Sequence, residues 1–395
     1  KKLLVTLLLV FTSSQSSVLA FSYYTLIASL AFVFYIYINM NLKTDKLFIQ
    51  FTVLFYVVNI YLFFSLPSYD IFLSGYVYLK FLYAYLSIKI IGYNFFENVV
   101  KIAYYGTIIS FPFFILQLLN YDLTFDLVGL LQNNLDFLSF RNDSYANNFL
   151  FTVNDAAQYR NSGFMWEPKG FSNFLILAIF FRLILNGIKL IDKKILILML
   201  GVISTFSTAG IISLFFIIIF YFLNKNIKIM ITVFPVFLIV FSLIFFNSKI
   251  LYEKIIYELS LQQEYQTLLE KNDYEKETYS LGRTGSFIVD FNDFLERPIL
   301  GYGYTRENRT NSIYVKLIRV NGFSDLLVVY GGIGLLIYFY RHYLFLKILK
   351  QKLGYKYFFV IFIMFIGIYF ATTLTLHPLW MSLIFLTCII KNSML

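Results

Sequence analysis

Apolar runs long enough to cross a bilayer follow one another along most of this chain, and they constrain its fold more than any other feature. A hydrocarbon core about 30 Å thick needs about 20 apolar residues of helix. Stretches such as AGIISLFFIIIFYFLN at 209–224 approach that length. Composition agrees, since 59% of the residues are hydrophobic, 14% are charged and the mean hydropathy is +0.73. These values predict an integral membrane protein.

The length rule predicts about twelve transmembrane helices, and hence an all-α polytopic membrane protein that forms a single domain over 1–395. The first span has a second interpretation, because a basic start and an apolar core precede Ala20, as in a cleaved signal peptide. The parity of the remaining spans favours a helix. The predicted spans are 3–20, 21–40, 47–65, 71–90, 101–119, 170–188, 194–206, 209–224, 228–246, 319–340, 356–376 and 378–391.

Lysines and arginines gather in alternate connections between the predicted spans. The opposite connections at 66–70, 207–208 and 377 contain neither residue type. By the positive-inside rule, the basic connections and both termini are cytoplasmic. The formal charge of +10 then reflects membrane orientation, so no nucleic-acid partner is predicted. The basic connections hold Lys43, Lys46, Lys89, Lys101, Lys189, Lys193, Lys194, Lys225, Lys228, Arg341, Lys347, Lys350, Lys352 and Lys356.

Two long outer segments, 120–169 and 247–318, interrupt the succession of spans. In the first, residues 121–140 are moderately apolar with acidic interruptions, which predicts a short helix at the membrane interface. In the second, 252–279 has one apolar face and predicts an amphipathic helix. Asp290 and Asp293 follow it; their spacing would place them on one helix face.

The residue types that metal and nucleotide chemistry need are scarce. Cys388 is the only cysteine, and the only histidines, His342 and His377, are far apart in sequence. No Gly-Lys nucleotide loop occurs. The sequence therefore predicts neither a metal ion nor a cofactor. GYGY at 301–304 predicts a turn, and GGIG at 331–334 predicts close packing of helices.

The outer segments are rich in cations. Any one of them is as well explained by a solvated loop or a lipid headgroup contact as by a bound substrate. Together they favour an anionic ligand at the membrane surface, because guanidinium groups match phosphate oxygens and cations at this depth need a partner. A lipid pyrophosphate has that chemistry. The cations are Arg141, Arg160, Lys169, Arg283, Arg297, Arg306, Arg309, Lys316 and Arg319.

Glu167 is the carboxylate of most interest. The ring of Pro168 disfavours helical geometry at Glu167, so a helix is expected to begin just after it. Glu167 is then either an acid that complements the helix dipole or a general base for a hydroxyl group. Trp166 and Phe164 either stack on sugar rings or belong to an interfacial aromatic belt. His377 is either a turn residue, which is favoured, or a proton-handling residue.

Four segments, in this order, resemble those of the O-antigen polymerases and the related O-antigen ligases of bacterial membranes. Each is loose alone, but their order and their common placement on the outer face are more specific. Together they cover 155–340, and the twelve-span topology extends the likeness to the whole chain. They are RNSGFMWEPKGFSNFL (160–175), STFSTAGIISL (204–214), LGRTGSFIVDFNDFLERPILGYGYT (281–305) and NSIYVKLIRVNGFSDLLVVYGGIGLL (311–336).

The resemblance implies a GT-C-like polymerase in the bacterial inner membrane, with its active site facing the periplasm. Such an enzyme transfers a growing glycan from undecaprenyl pyrophosphate to the distal sugar of another lipid-linked repeat unit, without metal or nucleotide. Its partners would be that donor and acceptor, membrane lipids and a chain-length regulator. Carried over, Arg283 and Arg160 bind pyrophosphate, and Glu167 is the acid/base group. Further candidate substrate-binding residues are Arg309, Arg297, Lys169, Asn311, Trp166, Arg319, Ser207 and His377.

Two departures from the family pattern bear on the alternatives. The ligases carry a catalytic histidine where this chain has Asn311, and an amide cannot act as a general base. This substitution counts against ligase activity and favours the polymerase. The turn at Ser207-Thr208 also lacks the arginine of many relatives. A third alternative, a flippase without chemistry, is disfavoured because charges cluster in unequal outer segments rather than at the midplane of two similar halves.

Overall fold

The computed structural model describes residues 1–14, 22–134, 144–187, 189–190, 192–225, 278–305, 309, 316–354 and 356–393, with isolated positions at 235, 256, 260 and 263. The predicted span 228–246 and the predicted amphipathic helix at 252–279 lie almost wholly outside these residues. Asn311 and the outer cations Arg141 and Arg306 also lie outside them.

Most of the described chain is α-helical. Short 3₁₀ turns occupy Asp155–Ala157, Leu374–Leu376 and Leu383–Phe385. The α-helices, in chain order, are α1 (Lys2–Phe11), α2 (Tyr23–Asn39), α3 (Lys46–Ser65), α4 (Ile71–Ile91), α5 (Asn94–Leu119), α6 (Tyr121–Asn134), α7 (Pro168–Leu185), α8 (Lys193–Ser204), α9 (Thr208–Lys225), α10 (Arg283–Glu296), α11 (Gly322–Leu353), α12 (Phe358–Ala371), α13 (Pro378–Ser382) and α14 (Leu386–Ser393).

Six helices in the described ranges are long and apolar enough to cross a membrane: α3, α4, α5, α7, α9 and α11. Shorter apolar helices occupy Lys2–Phe11, Tyr23–Asn39, Phe358–Ala371 and Pro378–Ile390. The predicted class, a predominantly α-helical membrane protein, is confirmed. Twelve spans remain a prediction. α11 differs most from its predicted span, because it continues beyond 340 to Leu353 and carries Arg341, Lys347 and Lys350 on the helix instead of in a loop.

Two small sheets lie in the outer segments. Strands β1 (Tyr145–Asn147) and β2 (Thr152–Asn154) pair antiparallel, while β3 (Thr278–Ser280) and β4 (Lys316–Ile318) pair parallel. The hairpin was not predicted. The parallel pair joins the chain before α10 to the chain before α11, so both helices start close together. Residues Tyr121–Asn134 of the predicted interfacial helix at 121–140 form α6, and the rest of that prediction lies outside the described residues.

α7 is the central helix of the bundle. Within its membrane-crossing window 78% of the residues are buried, against 17% for α3, which therefore exposes most of its surface to lipid. α7 packs against α5, α8 and α9. Pro168 and Lys169 are the first residues of this buried helix, so the position of their side chains is fixed by its packing.

α11 is broken at Gly331, where φ is +65°. A Cβ there would lie 2.2 Å from the carbonyl oxygen of Ile299, so only glycine fits. A bilayer tolerates a broken helix when protein groups satisfy the freed backbone. The 298–303 segment does so: the amides of Tyr302 and Gly303 donate to the carbonyls of Val328 and Val329, and the amides of Gly332 and Ile333 donate to those of Pro298 and Ile299. The turn predicted for GYGY is present at 303–304, whereas the close approach at GGIG is to the 298–303 segment and not, as was predicted, to another helix.

Candidate functional site

Arg160 is held by polar groups of the membrane bundle. Gln117 near the end of α5 donates from Nε2 to the carbonyl oxygens of Ala157 and Gln158, at 3.3 and 2.5 Å, and to that of Arg160 at 3.5 Å. The Nε of Arg160 donates to the Thr205 carbonyl at 3.1 Å. In the described part of the chain this is the only hydrogen bond of the Arg160 side chain. Its terminal nitrogens therefore stay available.

Asn161 ties the same segment to the turn between α8 and α9. It is fully buried, and its Nδ2 donates to the hydroxyls of Ser110 and Ser204, both at 3.0 Å. Ser207, also buried, accepts from the Gly210 amide at 3.3 Å and so begins α9. The structure thus places Ser207 at the start of α9, while its proposed contact with substrate stays a prediction.

Glu167 immediately precedes α7, as predicted. Its backbone is extended, its side chain does not cap the helix, and Pro168 takes the first helical position. The Lys169 ammonium lies 3.3 Å from Oε1 of Glu167. The Glu167 side chain is 38% accessible, so a substrate hydroxyl can reach the carboxylate.

Arg283 is the first residue of α10. Its Nε donates to the Ala371 carbonyl at 3.2 Å, next to the end of α12. Nδ2 of Asn321 donates to the Arg283 carbonyl at 3.3 Å, which fixes the start of α10 against the start of α11. The second outer segment therefore delivers this arginine to the bundle through contacts with two further helices.

The charges of these residues act on one another. Burial raises the pKa of Glu167, but Lys169, Arg160 and Arg283 together outweigh burial and hold that pKa below its usual value. Burial lowers the pKa of Arg160; Glu167 opposes this effect and Arg283 adds to it. Three cations from the two outer segments thus act on one carboxylate. We call Arg160, Glu167, Lys169 and Arg283 the outer cation cluster.

An excess of positive charge defines what the outer cation cluster can do chemically. Three cations act on one carboxylate among the described residues, and an anionic ligand suits such a group of charges. Guanidinium groups bind phosphate oxygens through paired hydrogen bonds. Glu167, ionised at neutral pH, can accept a proton from a hydroxyl placed beside that anion.

Two other predicted arginines have carboxylate partners instead. Nη1 of Arg319 lies 2.7 Å from Asp293 and also binds Asp290, and both aspartates are buried on one face of α10, as predicted. Burial raises the pKa of Asp290 to about 6, although the charge of Arg319 opposes this effect. Arg309 pairs with Asp325 at 2.8 Å. These contacts fasten the second outer segment to the start of α11.

The remaining candidates have contacts with the protein as well. Arg297 donates to the Ser65 carbonyl at 3.3 Å and lies over the Tyr302 ring. Trp166 stacks on Tyr145 with ring centroids 4.1 Å apart, so one face of the indole is already covered. Phe164 is a buried core residue, in contact with the rings of Phe11, Phe171 and Phe174.

His377 immediately precedes α13, in agreement with the turn interpretation. It is buried, and this burial together with the charge of Lys80 lowers the pKa of His377 to about 3. Its ring is therefore neutral at physiological pH. The hydroxyl of Ser13, two residues past the end of α1, accepts from the Leu379 amide at 2.8 Å. The backbone carbonyl of Ser14 accepts from the Trp166 amide at 2.9 Å. The chain after α1 thus links α13 to the outer cation cluster.

Sequence reasoning missed the residues that hold the cluster in place. Gln117 and Asn161 are polar residues within or beside apolar runs, and that contrast was the signal that could have found them. The carbonyl oxygens of Thr205 and Ala371 left no signal, because every residue has one. Among the described residues, no group of three or more histidine, cysteine or acidic side chains could hold a metal ion.

Comparisons with protein-family models, with curated proteins and with solved structures found no match to this chain.

Proposed function

We propose that this protein is a glycan polymerase of the O-antigen type, which joins lipid-linked repeat units at the outer face of a bacterial inner membrane. The observation that carries the proposal is the outer cation cluster, in which Lys169 pairs with Glu167 and the charges of Arg160 and Arg283 act on the same carboxylate. A pyrophosphate-linked donor supplies an anion of the kind that such a cluster binds. The motifs that resemble the polymerases contribute all four of these residues.

In the proposed reaction, a hydroxyl oxygen of the acceptor's distal sugar attacks the anomeric carbon of the donor glycan. The bond from that carbon to the pyrophosphate oxygen breaks, and the pyrophosphate leaves on its lipid with the bonding electrons. Arg160 and Arg283 stabilise the charge that develops on the leaving group. Glu167 takes the hydroxyl proton. No metal or nucleotide enters this sequence of steps.

The cluster couples donor binding to base strength. Lys169, Arg160 and Arg283 hold the pKa of Glu167 low when no anion is present, which makes it a weak base. A pyrophosphate beside the arginines offsets part of their positive charge at Glu167. The pKa of Glu167 then rises towards neutrality, and a base with a pKa nearer the operating pH removes a proton more effectively. Glu167 thus becomes effective only when the donor is in place.

Deletion of the gene in its host, followed by gel electrophoresis of the surface glycan, tests this function. A polymerase deletion gives acceptors capped with a single repeat unit. Bare acceptors with polymer still attached to lipid indicate the ligase, and lipid intermediates retained at the cytoplasmic face indicate a flippase. An unchanged ladder of long chains contradicts all three. Re-expression of the intact chain restores the ladder and serves as the control.

A further inference from the structure

A groove separates α3 from α11 on the lipid-facing side of the bundle. Its cavity measures about 350 Å³ and is lined by apolar side chains such as Phe51, Val58 and Ile337. Several of these side chains are largely exposed, with Leu54 at 42% and Ile333 at 46%. A volume of this size lies within the range of about 300–1,000 Å³ typical of small-molecule sites.

A second cavity of about 450 Å³ continues the groove beyond the apolar part. Leu47 and Arg341 line both cavities, so the two meet at these side chains. Lys347, Gln351 and Thr387 line only the second one. The combined space is therefore apolar along most of its length and polar at one end.

The polar end carries an excess of positive charge. Nε of Arg341 donates to the Ile384 carbonyl at 3.1 Å, and within the described ranges no carboxylate pairs with this arginine. Lys347 is exposed and likewise has no carboxylate partner in that part of the chain. Asp45 is the one acid in the lining, but Lys89 binds it at 3.0 Å and the Tyr85 hydroxyl at 2.9 Å. Its charge is thus already compensated.

We propose that this groove binds one anionic phospholipid, whose phosphate lies at Arg341 and Lys347 and whose acyl chain follows the apolar wall between α3 and α11. Arginine and lysine near a membrane surface attract anionic lipids. The apolar cavity gives an acyl chain a fixed place, which distinguishes this site from lysines that merely extend to the headgroups.

This lipid is distinct from the donor of the proposed reaction. The outer cation cluster lies by the start of α11, where Asn321 binds the Arg283 carbonyl. Arg341 follows Asn321 by twenty positions, beyond the break at Gly331 and in the part of α11 that ends at Leu353. The lipid site therefore lies at the opposite membrane surface, which carries Lys350 and Lys352, and its test does not depend on the polymerase assignment.

The test is native mass spectrometry of the full chain, released from nanodiscs of phosphatidylcholine with increasing phosphatidylglycerol. The intact chain should retain one phosphatidylglycerol in preference to phosphatidylcholine. The Lys347→Gln variant should bind it about five-fold more weakly, as expected for one cation near the surface, and Arg341→Gln at least as much. Lys350→Gln is the matched control, because Lys350 is on the same helix but lines neither cavity, and it should bind as the intact chain does.

Two further arms separate the sources of the signal. Ile337→Trp fills the apolar cavity and leaves the cations in place, so it should abolish the preferential lipid without loss of fold. Glycerol 3-phosphate, which has the headgroup chemistry without acyl chains, should not displace the lipid. Equal retention by Lys347→Gln, Ile337→Trp and the control would overturn the proposal. Displacement by glycerol 3-phosphate at equal concentration would overturn it in favour of a soluble phosphate ligand.

Discussion

Two regions on the outer side of the molecule use arginine in opposite ways. At the start of α10, the charge of Arg283 acts with those of Arg160 and Lys169 on a single carboxylate, Glu167. Near α11, Arg319 faces two buried aspartates, and Arg309 faces one. The first region has more cations than carboxylates, whereas the second has at least as many carboxylates as cations.

This difference in charge balance separates binding groups from structural ones. A buried arginine with its own carboxylate has satisfied its need for a counter-charge, and the pair fastens the chain in place. A cluster with more cations than carboxylates attracts an anionic ligand. The sequence does not distinguish these arginines, whereas their contacts in the structure show which of them pair with carboxylates.

The largest expected effect is at Glu167, where Glu167→Gln removes the base but keeps the shape of the side chain. Elongation of lipid-linked repeat units by the purified protein should fall about 10²–10⁴-fold, the usual contribution of a general base. Donor binding should persist, since the three cations remain. Full elongation by Glu167→Gln would reduce Glu167 to a residue that merely precedes α7.

The next effect tests the cations of the cluster. Arg283→Ala and Arg160→Ala each remove a donor to the leaving pyrophosphate and should lower elongation about 10²–10³-fold. The melting temperature in detergent should change little, because two effects offset each other. Each variant loses one hydrogen bond to a backbone carbonyl, but it also loses repulsion among the cations. Arg297→Ala is the matched control from the same outer segment and should retain far more activity. Long glycan chains at normal levels in both cluster variants would refute the assignment.

The opposite pattern is expected in the balanced region. Asp325→Ala leaves Arg309 buried without its carboxylate and should destabilise the fold by about 3 kcal/mol. Thermal unfolding followed by fluorescence measures this loss. Activity per folded molecule should be preserved. If the variant melts like the intact chain yet loses activity, Arg309 belongs with the binding cations after all.

The smallest effect concerns pH. Lys169 is the strongest of the cations that lower the Glu167 pKa, so Lys169→Gln should raise that pKa. Since a general base works only when deprotonated, the acid limb of the elongation rate should move to higher pH in this variant. A pH profile measured with saturating donor provides the comparison, with Lys350→Gln as control. An unchanged acid limb would show that another group controls it.

Local patterns in the sequence predicted a good part of this structure. Pro168 located the start of α7, the spacing of Asp290 and Asp293 placed both on one helix face, and GGIG indicated close packing. Each of these signals acts over a few residues, where backbone geometry and helical period dictate the outcome. The sequence also singled out Arg160, Glu167, Lys169 and Arg283 as candidates, and their role in substrate binding and catalysis stays a prediction.

Long-range contacts were beyond the reach of such patterns. The break in α11 depends on hydrogen bonds from the 298–303 segment, which comes from a different part of the chain. The pairing of Arg319 with two aspartates, and of Arg309 with Asp325, likewise depends on how the second outer segment folds back. Sequence alone ranked Arg309 with the binding candidates, since a count of charges carries no information on which of them meet.

Binding of a short-chain prenyl pyrophosphate to the purified full chain tests the central claim most directly. It measures the affinity of the outer cation cluster for an anion, and no chemical step takes part. Titration calorimetry should give at least about ten-fold weaker binding for Arg160→Gln and for Arg283→Gln, as expected when a charge-assisted hydrogen bond is lost. Lys350→Gln should bind like the intact chain. Equal affinity across all four proteins would contradict the account.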